Sequence, residues 1–261
     1  MIRFTIRTLL KNKTLWAWPG IFILFVVTIA VWGGVSADPS SSSYVISLGG
    51  LPLPTGIVIN QLISITILIA IIGIPTHFSE NIKPERASLL LSKPISRDEL
   101  FLSDFAGVFA FCFAYTLISV LLLTLLTTVH GVLFPMHHAI AIIVFLPLIL
   151  LSYYITIVLF LILTNSYLGG VLLGYFLTGF SSIFLNVDPF LQMFGLTDTW
   201  FETLLQILSY LIPSAEAFQQ IMVQIFDSGF SGIDASLLGF SLASCVPFAL
   251  LAYYLFKKKQ F

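Results

Sequence analysis

Four side chains that can bind a soft metal ion lie close together in the sequence. His130, Met136, His137 and His138 occupy one short stretch between two strongly apolar segments. Imidazole and thioether groups are ligands that copper accepts, so this stretch is a candidate metal site. The alternative, which we favour, is an interfacial loop whose rings lie at the level of the lipid headgroups. No resident metal is therefore expected.

Other arrangements of catalytic residues are missing or incomplete. The sequence contains no Gly-Lys dipeptide, hence no phosphate-binding loop of the GxxxxGK[ST] type, and no HExxH zinc motif. The segment from Gly179 to Ile183 begins like a nucleophile elbow, but Ile183 replaces the second glycine. An ordinary helix face of small residues explains it better. We therefore expect no enzymatic activity in this chain.

Ionisable side chains are almost absent from the apolar segments. Asp104 is the nearest candidate, and its position at the edge of such a segment predicts a solvated carboxylate at a helix end. Proton- and ion-coupled transporters usually carry charged or histidine residues inside the membrane. The sequence therefore argues against a transporter that is powered by its own ion gradient.

The elements that must position these residues are membrane-spanning helices. Of the 261 residues, 58% are hydrophobic and 9% are charged, whereas a typical soluble domain is about 25% charged. A helix needs about 20 apolar residues to cross a bilayer. The sequence thus predicts an all-α membrane protein with six transmembrane helices and a single domain over residues 1–261. The predicted spans are Leu15–Val35, Thr55–Pro75, Phe105–Thr128, Ala139–Leu163, Tyr167–Asn186 and Ala235–Phe256.

The basic residues predict the orientation. All 11 Lys and Arg residues precede the first span, lie between the second and third, or follow the sixth. Positive residues flanking spans favour the cytoplasmic side. We therefore expect a multi-pass protein of the plasma (inner) membrane with both termini in the cytoplasm.

Three regions outside the spans have their own patterns. Residues 1–14 place basic side chains at i, i+4 spacing and predict an interfacial amphipathic helix. Residues 76–104 form the long cytoplasmic loop, in which Pro84 begins a short helix and Ser96 caps the next helix together with Glu99. Residues 187–234 contain two apolar pieces divided by Pro213, each too short to span, and predict half-length outer helices with Ser214 as a cap.

Small residues follow one face of the predicted fifth span. Gly170, Gly174 and Thr178 recur at four-residue intervals. Such a stripe lets two helices approach closely in lipid. It could form a dimer interface with a second copy, or it could pack against another helix of the same subunit.

The loop between the second and third spans resembles that of ABC-2 type ABC transporter permeases, in particular the half-size NosY-like group. Glu85 is followed by Leu89-Leu90-Leu91 and then by Pro94-Ile95-Ser96-Arg97, as in that family, although Arg86-Ala87-Ser88 stands where the family usually has Gly-Thr. The amphipathic leader, the six spans, the short fourth–fifth hairpin and the broken segment before the last span are also similar.

The resemblance implies a transmembrane subunit that exports a substrate or transmits ATP-driven motion. A cytoplasmic ABC ATP-binding subunit would supply ATP and Mg, and none is expected in this chain. A second copy or a homologous permease, the lipid bilayer and an accessory protein on the outer side are the other expected partners, with no nucleic acid. The loop would dock on the ATPase through Glu85, Arg86, Leu90, Pro94, Arg97, Asp98 and Glu99. A membrane scaffold or assembly factor that does not transport is the alternative.

Overall fold

Helices make up most of the chain, as predicted. The structure is a computed structural model that describes residues 2–37, 44–48, 51–83, 96–180, 191–192 and 200–259. The helices are α1 (Ile2–Lys11), α2 (Ala17–Trp32), α3 (Thr55–Gly73), α4 (Pro75–Asn81), α5 (Arg97–Val129), α6 (Met136–Thr164), α7 (Tyr167–Gly179), α8 (Trp200–Leu211), α9 (Ala215–Ser228) and α10 (Ala235–Lys258). Two 3-10 helices, Lys13–Trp16 and Gly229–Gly232, precede α2 and α10.

Five segments of the described residues are long and apolar enough to cross a membrane. They are Lys13–Trp32, Val58–Asn81, Arg97–Val129, Met136–Thr164 and Ala235–Lys258. This is the architecture of a multi-pass membrane protein. The predicted fifth span starts at Tyr167 as expected, but its described helix ends at Gly179 after 13 residues. Residues 181–186 of that prediction lie outside the described part of the chain, so the six-span topology stays a prediction.

The core of the bundle is built around α6. In its most apolar stretch 72% of the residues are buried, against 17% in α10, because α5, α7, α9 and α10 all pack on it. The outer faces of α2, α7 and α10 expose large apolar side chains, among them Leu24, Phe176 and Leu250. Exposed apolar faces of this kind suit a lipid environment rather than water.

A small antiparallel sheet, which the sequence did not predict, connects α2 to α3. Its strands are β1 (Gly33–Ala37), β2 (Tyr44–Leu48) and β3 (Leu51–Pro54), with Val35 opposite Ile46. Side chains directly opposite each other on two antiparallel strands project from the same face of the sheet, so Val35 and Ile46 share one face. They join a second apolar cluster with Ile29 of α2 and Leu126 of α5. The mostly helical prediction holds, with this sheet added to it.

Several local predictions are confirmed. The leader forms α1, with Thr5 and Leu9 buried. Ser96 caps α5 by accepting a hydrogen bond from the Glu99 backbone N–H at 3.0 Å. The two half-length helices before the last span are α8 and α9, and Ser214 caps α9. The short helix predicted from Pro84 lies outside the described residues.

Candidate functional site: a buried polar cluster at the basic end

The C-terminal residues of the described chain contact the start of α5 at one end of the bundle. Arg97, the first residue of α5, donates from Nη1 to the carbonyl oxygens of Lys257 (2.8 Å) and Lys259 (2.7 Å). Lys257 Nζ lies 3.3 Å from Asp98 Oδ2. Lys259 donates to the side-chain oxygen of Asn165 in the α6–α7 turn, and its partial burial lowers its pKa. We call this end, which also holds α1 and α4, the basic end.

A cluster of four polar side chains is buried just inside the basic end. His77 Nε2 lies 2.9 Å from Asp104 Oδ1 and 3.1 Å from Asn81 Nδ2, an amide nitrogen that can only donate. The hydroxyl of Tyr154 donates to Asp104 Oδ2. The exposed fractions of these residues are 2% for His77, 6% for Asn81, 2% for Asp104 and 1% for Tyr154. We call these four residues the polar cluster.

Three helices bring the polar cluster together. Pro75 starts α4 directly after Ile74, so the second span continues in a new helix instead of ending, and His77 and Asn81 fall one turn apart on it. The Ser96 cap fixes the start of α5, and Asp104 follows about two turns later. Tyr154 comes from the middle of the central helix α6. Each member therefore lies on a rigid element.

The chemistry of the cluster is that of an acid–base pair in an apolar core. A buried carboxylate is tolerated only when it is paired and hydrogen-bonded, and Asp104 has both kinds of partner. His77 Nδ1, Asn81 Oδ1 and Asp104 Oδ1 are buried atoms with no hydrogen-bond partner among the described residues, so the contact between His77 Nε2 and Asp104 Oδ1 is close but not a well-directed hydrogen bond. Leaving such an atom without a partner costs about 1–3 kcal/mol. The cluster thus has hydrogen-bonding capacity that the described residues do not use.

Helix α1 closes the cluster on one side. The Phe4 ring lies 6.1 Å from the His77 ring between centroids. Thr5 packs on Gly107 of α5, where an added Cβ would approach the Thr5 Cβ to 2.7 Å. Glycine is therefore required at position 107 for α1 to lie this close to α5.

Asn12 ties the leader to the junction of α3 and α4. Its side-chain Nδ2 donates to the Gly73 carbonyl oxygen and to the Thr76 hydroxyl, each at 2.8 Å. Its Oδ1 accepts from the Thr14 backbone N–H at 3.0 Å and so caps the first 3-10 helix. One side chain thus fixes the leader, the first span and the start of α4 relative to each other.

A cleft of about 470 Å³ opens beside the polar cluster, between the leader and α4. Its walls carry two lysines from the leader, Lys11 and Lys13, and Glu80 from α4. His77 also borders it. The remaining lining residues are Thr8, Leu9, Asn12 and Thr76.

Three of the seven residues predicted to dock on an ATPase lie in the described part of the chain. Arg97 and Asp98 are held by the C-terminal residues of the same chain, as described above. Glu99 is exposed. Glu85, Arg86, Leu90 and Pro94 lie outside the described residues.

The stripe of small residues on α7 packs within the subunit, the alternative left open by the sequence. Gly170, Gly174 and Thr178 are all buried. A Cβ on Gly170 would come within 2.6 Å of Leu161, and one on Gly174 within 2.5 Å of Ile157, both on α6. The stripe packs against α6 of the same chain.

The His/Met stretch is spread around the start of α6. Met136 is 77% exposed, whereas His138 is buried and its Nε2 lies 3.0 Å from the Phe226 carbonyl oxygen of α9. The His137 and His138 rings meet edge to face with centroids 4.4 Å apart. No group of three or more His, Cys, Asp or Glu side chains that could hold a metal ion occurs among the described residues.

Sequence reasoning missed most of the polar cluster. The prediction that Asp104 is a solvated carboxylate was wrong, because α4 and α6 cover it. His77, Asn81 and Tyr154 were not singled out. The spacing of His77 and Asn81, one helical turn apart beside apolar residues, was the available signal.

Comparisons of the chain with protein-family models, with curated proteins and with solved structures found no match.

Proposed function

We propose that this chain is the transmembrane subunit of an ABC-2 type ATP-binding cassette transporter, which exports a substrate or transmits ATP-driven motion. A separate ATP-binding subunit powers it. The observation that carries the proposal is the construction of the basic end. Helices α4 and α5 flank the loop of residues 84–95, are joined through the buried pair of His77 and Asp104, and both pack against α1.

This construction suits a loop that receives force from a partner. A displacement of residues 84–95 by the partner would move α4 and α5 first, because the loop connects these two helices. The polar cluster would transmit this displacement to α6 through Tyr154. Asn12 would transmit it to the first span. Rigid elements joined by buried contacts transmit displacement in this way.

The remaining parts of the proposal concern topology and partners. The basic end faces the cytoplasm, since it carries the described Lys and Arg residues. Six spans, with α7 as part of the fifth, bring both termini to that side. A second permease copy completes the transporter through a surface other than the stripe of Gly170 and Gly174.

The partner contact in this proposal is made by residues 84–95 together with Glu99. Within it, Glu85, Arg86, Leu90 and Pro94 shape the docking segment, and Glu99 contributes an exposed charge beside it. Arg97 acts differently, because its guanidinium already binds the C-terminal carbonyl oxygens.

The test is affinity purification of the tagged chain from its native membrane in mild detergent, with identification of co-purifying proteins and an ATPase assay. A nucleotide-binding protein is expected in the eluate. We expect the amount of this protein that co-purifies to fall when Glu99 is replaced by lysine (Glu99→Lys). Asp227→Lys is the matched control, because it reverses an exposed acidic charge near the end of α9, away from the basic end. Absence of any nucleotide-binding protein would favour the scaffold alternative.

A further inference from the structure

Two lysines of the leader have no ion-pair partner among the described residues. Lys11, at the end of α1, and Lys13, at the start of the first 3-10 helix, are both exposed and line the cleft between the leader and α4. Neither forms an ion pair with another residue of the described chain. Glu80 adds an acidic side chain to the lining. The charged side chains of the cleft, two basic and one acidic, thus leave one net positive charge.

The neutral polar groups of the cleft already donate within the protein. The Thr8 hydroxyl donates to the Phe4 carbonyl oxygen at 3.0 Å. The Thr76 hydroxyl donates to the Gly73 carbonyl oxygen at 2.6 Å. The side-chain amide of Asn12 donates to the same carbonyl oxygen and to the Thr76 hydroxyl. The two lysine ammonium groups therefore supply donors that remain for a ligand, and their charge selects an anion.

The cleft lies where two spans reach the membrane surface. The first span, Lys13–Trp32, has 20 residues, which give a helix of about 30 Å, the thickness of the hydrocarbon layer. Lys13 is its first residue, and the second span, Val58–Asn81, ends one residue after Glu80. Because both spans end beside it, the cleft opens at the level of the lipid headgroups.

Exposed apolar side chains accompany the two lysines. Leu10, next to Lys11 in the chain, is 42% exposed, and Trp16, three residues after Lys13, is 57% exposed. Trp16 Nε1 donates to the Leu10 carbonyl oxygen at 2.8 Å, so the indole is held beside the end of α1. Tryptophan is typical of the interface between lipid and water. A lipid covers such apolar surface with its acyl chains, whereas a soluble anion leaves it exposed.

We propose that the cleft binds the headgroup of a phospholipid with one net negative charge, such as phosphatidylglycerol, with its phosphate between Lys11 and Lys13. The single negative charge balances the net charge of the cleft. The cleft volume of about 470 Å³ lies within the range of about 300–1,000 Å³ that is usual for small-ligand sites. The bound lipid would join the leader to α4, as Asn12 does from within the protein. This inference concerns the isolated chain and does not depend on an ATPase partner.

Native mass spectrometry of the purified chain in detergent micelles tests the proposal, because it counts the lipid molecules bound to each protein. The probes are phosphatidylglycerol and phosphatidylethanolamine, which carries the same phosphate but no net charge. Inorganic phosphate is added as a competitor. We expect one molecule of phosphatidylglycerol to bind, phosphatidylethanolamine to bind more weakly, and inorganic phosphate at the same concentration to displace neither.

Two double variants distinguish the cleft from a general attraction between a basic helix and anionic lipid. A lysine near the membrane surface contributes about fivefold to the binding of anionic lipid, so Lys11→Gln/Lys13→Gln should weaken binding about 25-fold. Arg3→Gln/Arg7→Gln removes the same charge from exposed positions of the leader that do not line the cleft, and should weaken binding far less. Lys11→Arg/Lys13→Arg keeps both charges and should keep most of the binding.

Each outcome supports or overturns the proposal. Equal weakening in the two glutamine variants would show diffuse attraction and overturn the site. Equal binding of phosphatidylethanolamine would overturn the charge argument, and displacement by inorganic phosphate would assign the cleft to a soluble anion. If the double glutamine variant does not fold, Lys11→Gln alone decides: about fivefold weaker binding is expected, and an unchanged affinity overturns the proposal. Failure of an ATPase to co-purify would leave lipid binding unaffected.

Discussion

Replacing Gly174 by alanine tests how closely α6 and α7 pack within the chain. An added Cβ would lie 2.5 Å from Ile157 Cγ1, 2.8 Å from its Cα and 2.9 Å from its backbone nitrogen. Rotation of the Ile157 side chain could relieve the first contact but not the other two, because those atoms belong to the helix backbone. The two helices would have to separate by about 0.6 Å to restore an ordinary contact.

The cost of that separation follows from the density of the core. Ile157 and Leu161 are fully buried against α7, and a gap of about 0.5–1 Å removes a quarter to a half of the dispersion energy between the facing atoms. Forcing an extra carbon into a packed core costs about 1–3 kcal/mol. We expect Gly174→Ala to lower the free energy of unfolding by that amount.

The assay is reversible unfolding of the purified chain in mixed micelles, together with a measurement of its oligomeric state. Gly179→Ala is the control on the same helix, because nothing lies within 4 Å of its added Cβ. That change should be neutral or stabilise by about 0.5–1 kcal/mol, the usual penalty of a helical glycine. Equal stability of Gly174→Ala and wild type, with loss of a dimer only in the variant, would refute the packing argument.

Three further changes probe the connections of the helices. Asn12→Ala removes the donors to Gly73 and Thr76 and the cap on Thr14, and should lower the free energy of unfolding by about 1–2 kcal/mol; Asn12→Asp, which keeps the cap, should cost less. Arg97→Ala should speed trypsin cleavage after the C-terminal lysines, because their carbonyl oxygens lose a donor, and Glu99→Ala should not. Asp234→Ala should speed amide exchange in the first turn of α10. Hydrogen bonds from Ser236 and from the backbone lower the Asp234 pKa, so this cap stabilises the fold above the ordinary carboxyl range and is lost as pH falls through the lowered value.

Sequence patterns predicted the elements whose causes are local. The leader α1, the Ser96 and Ser214 caps and the tight turn at Thr164-Asn165-Ser166 depend on neighbouring residues alone, and all are found. The sheet after α2 was missed because its strands are short and follow an apolar helix without a clear break, apart from Gly33 and Gly34. The burial of Asp104 was missed because it depends on α4 and α6, which are distant in sequence.

The position of Asp104 also changes the argument about energy sources. The sequence argued against ion coupling because the predicted spans contained no histidine and had a carboxylate only at an edge. Since α4 continues the second span beyond Pro75, His77 reaches that carboxylate inside the bundle. The premise that no histidine lies beside a buried carboxylate therefore does not hold, and ion coupling can no longer be argued against on that ground.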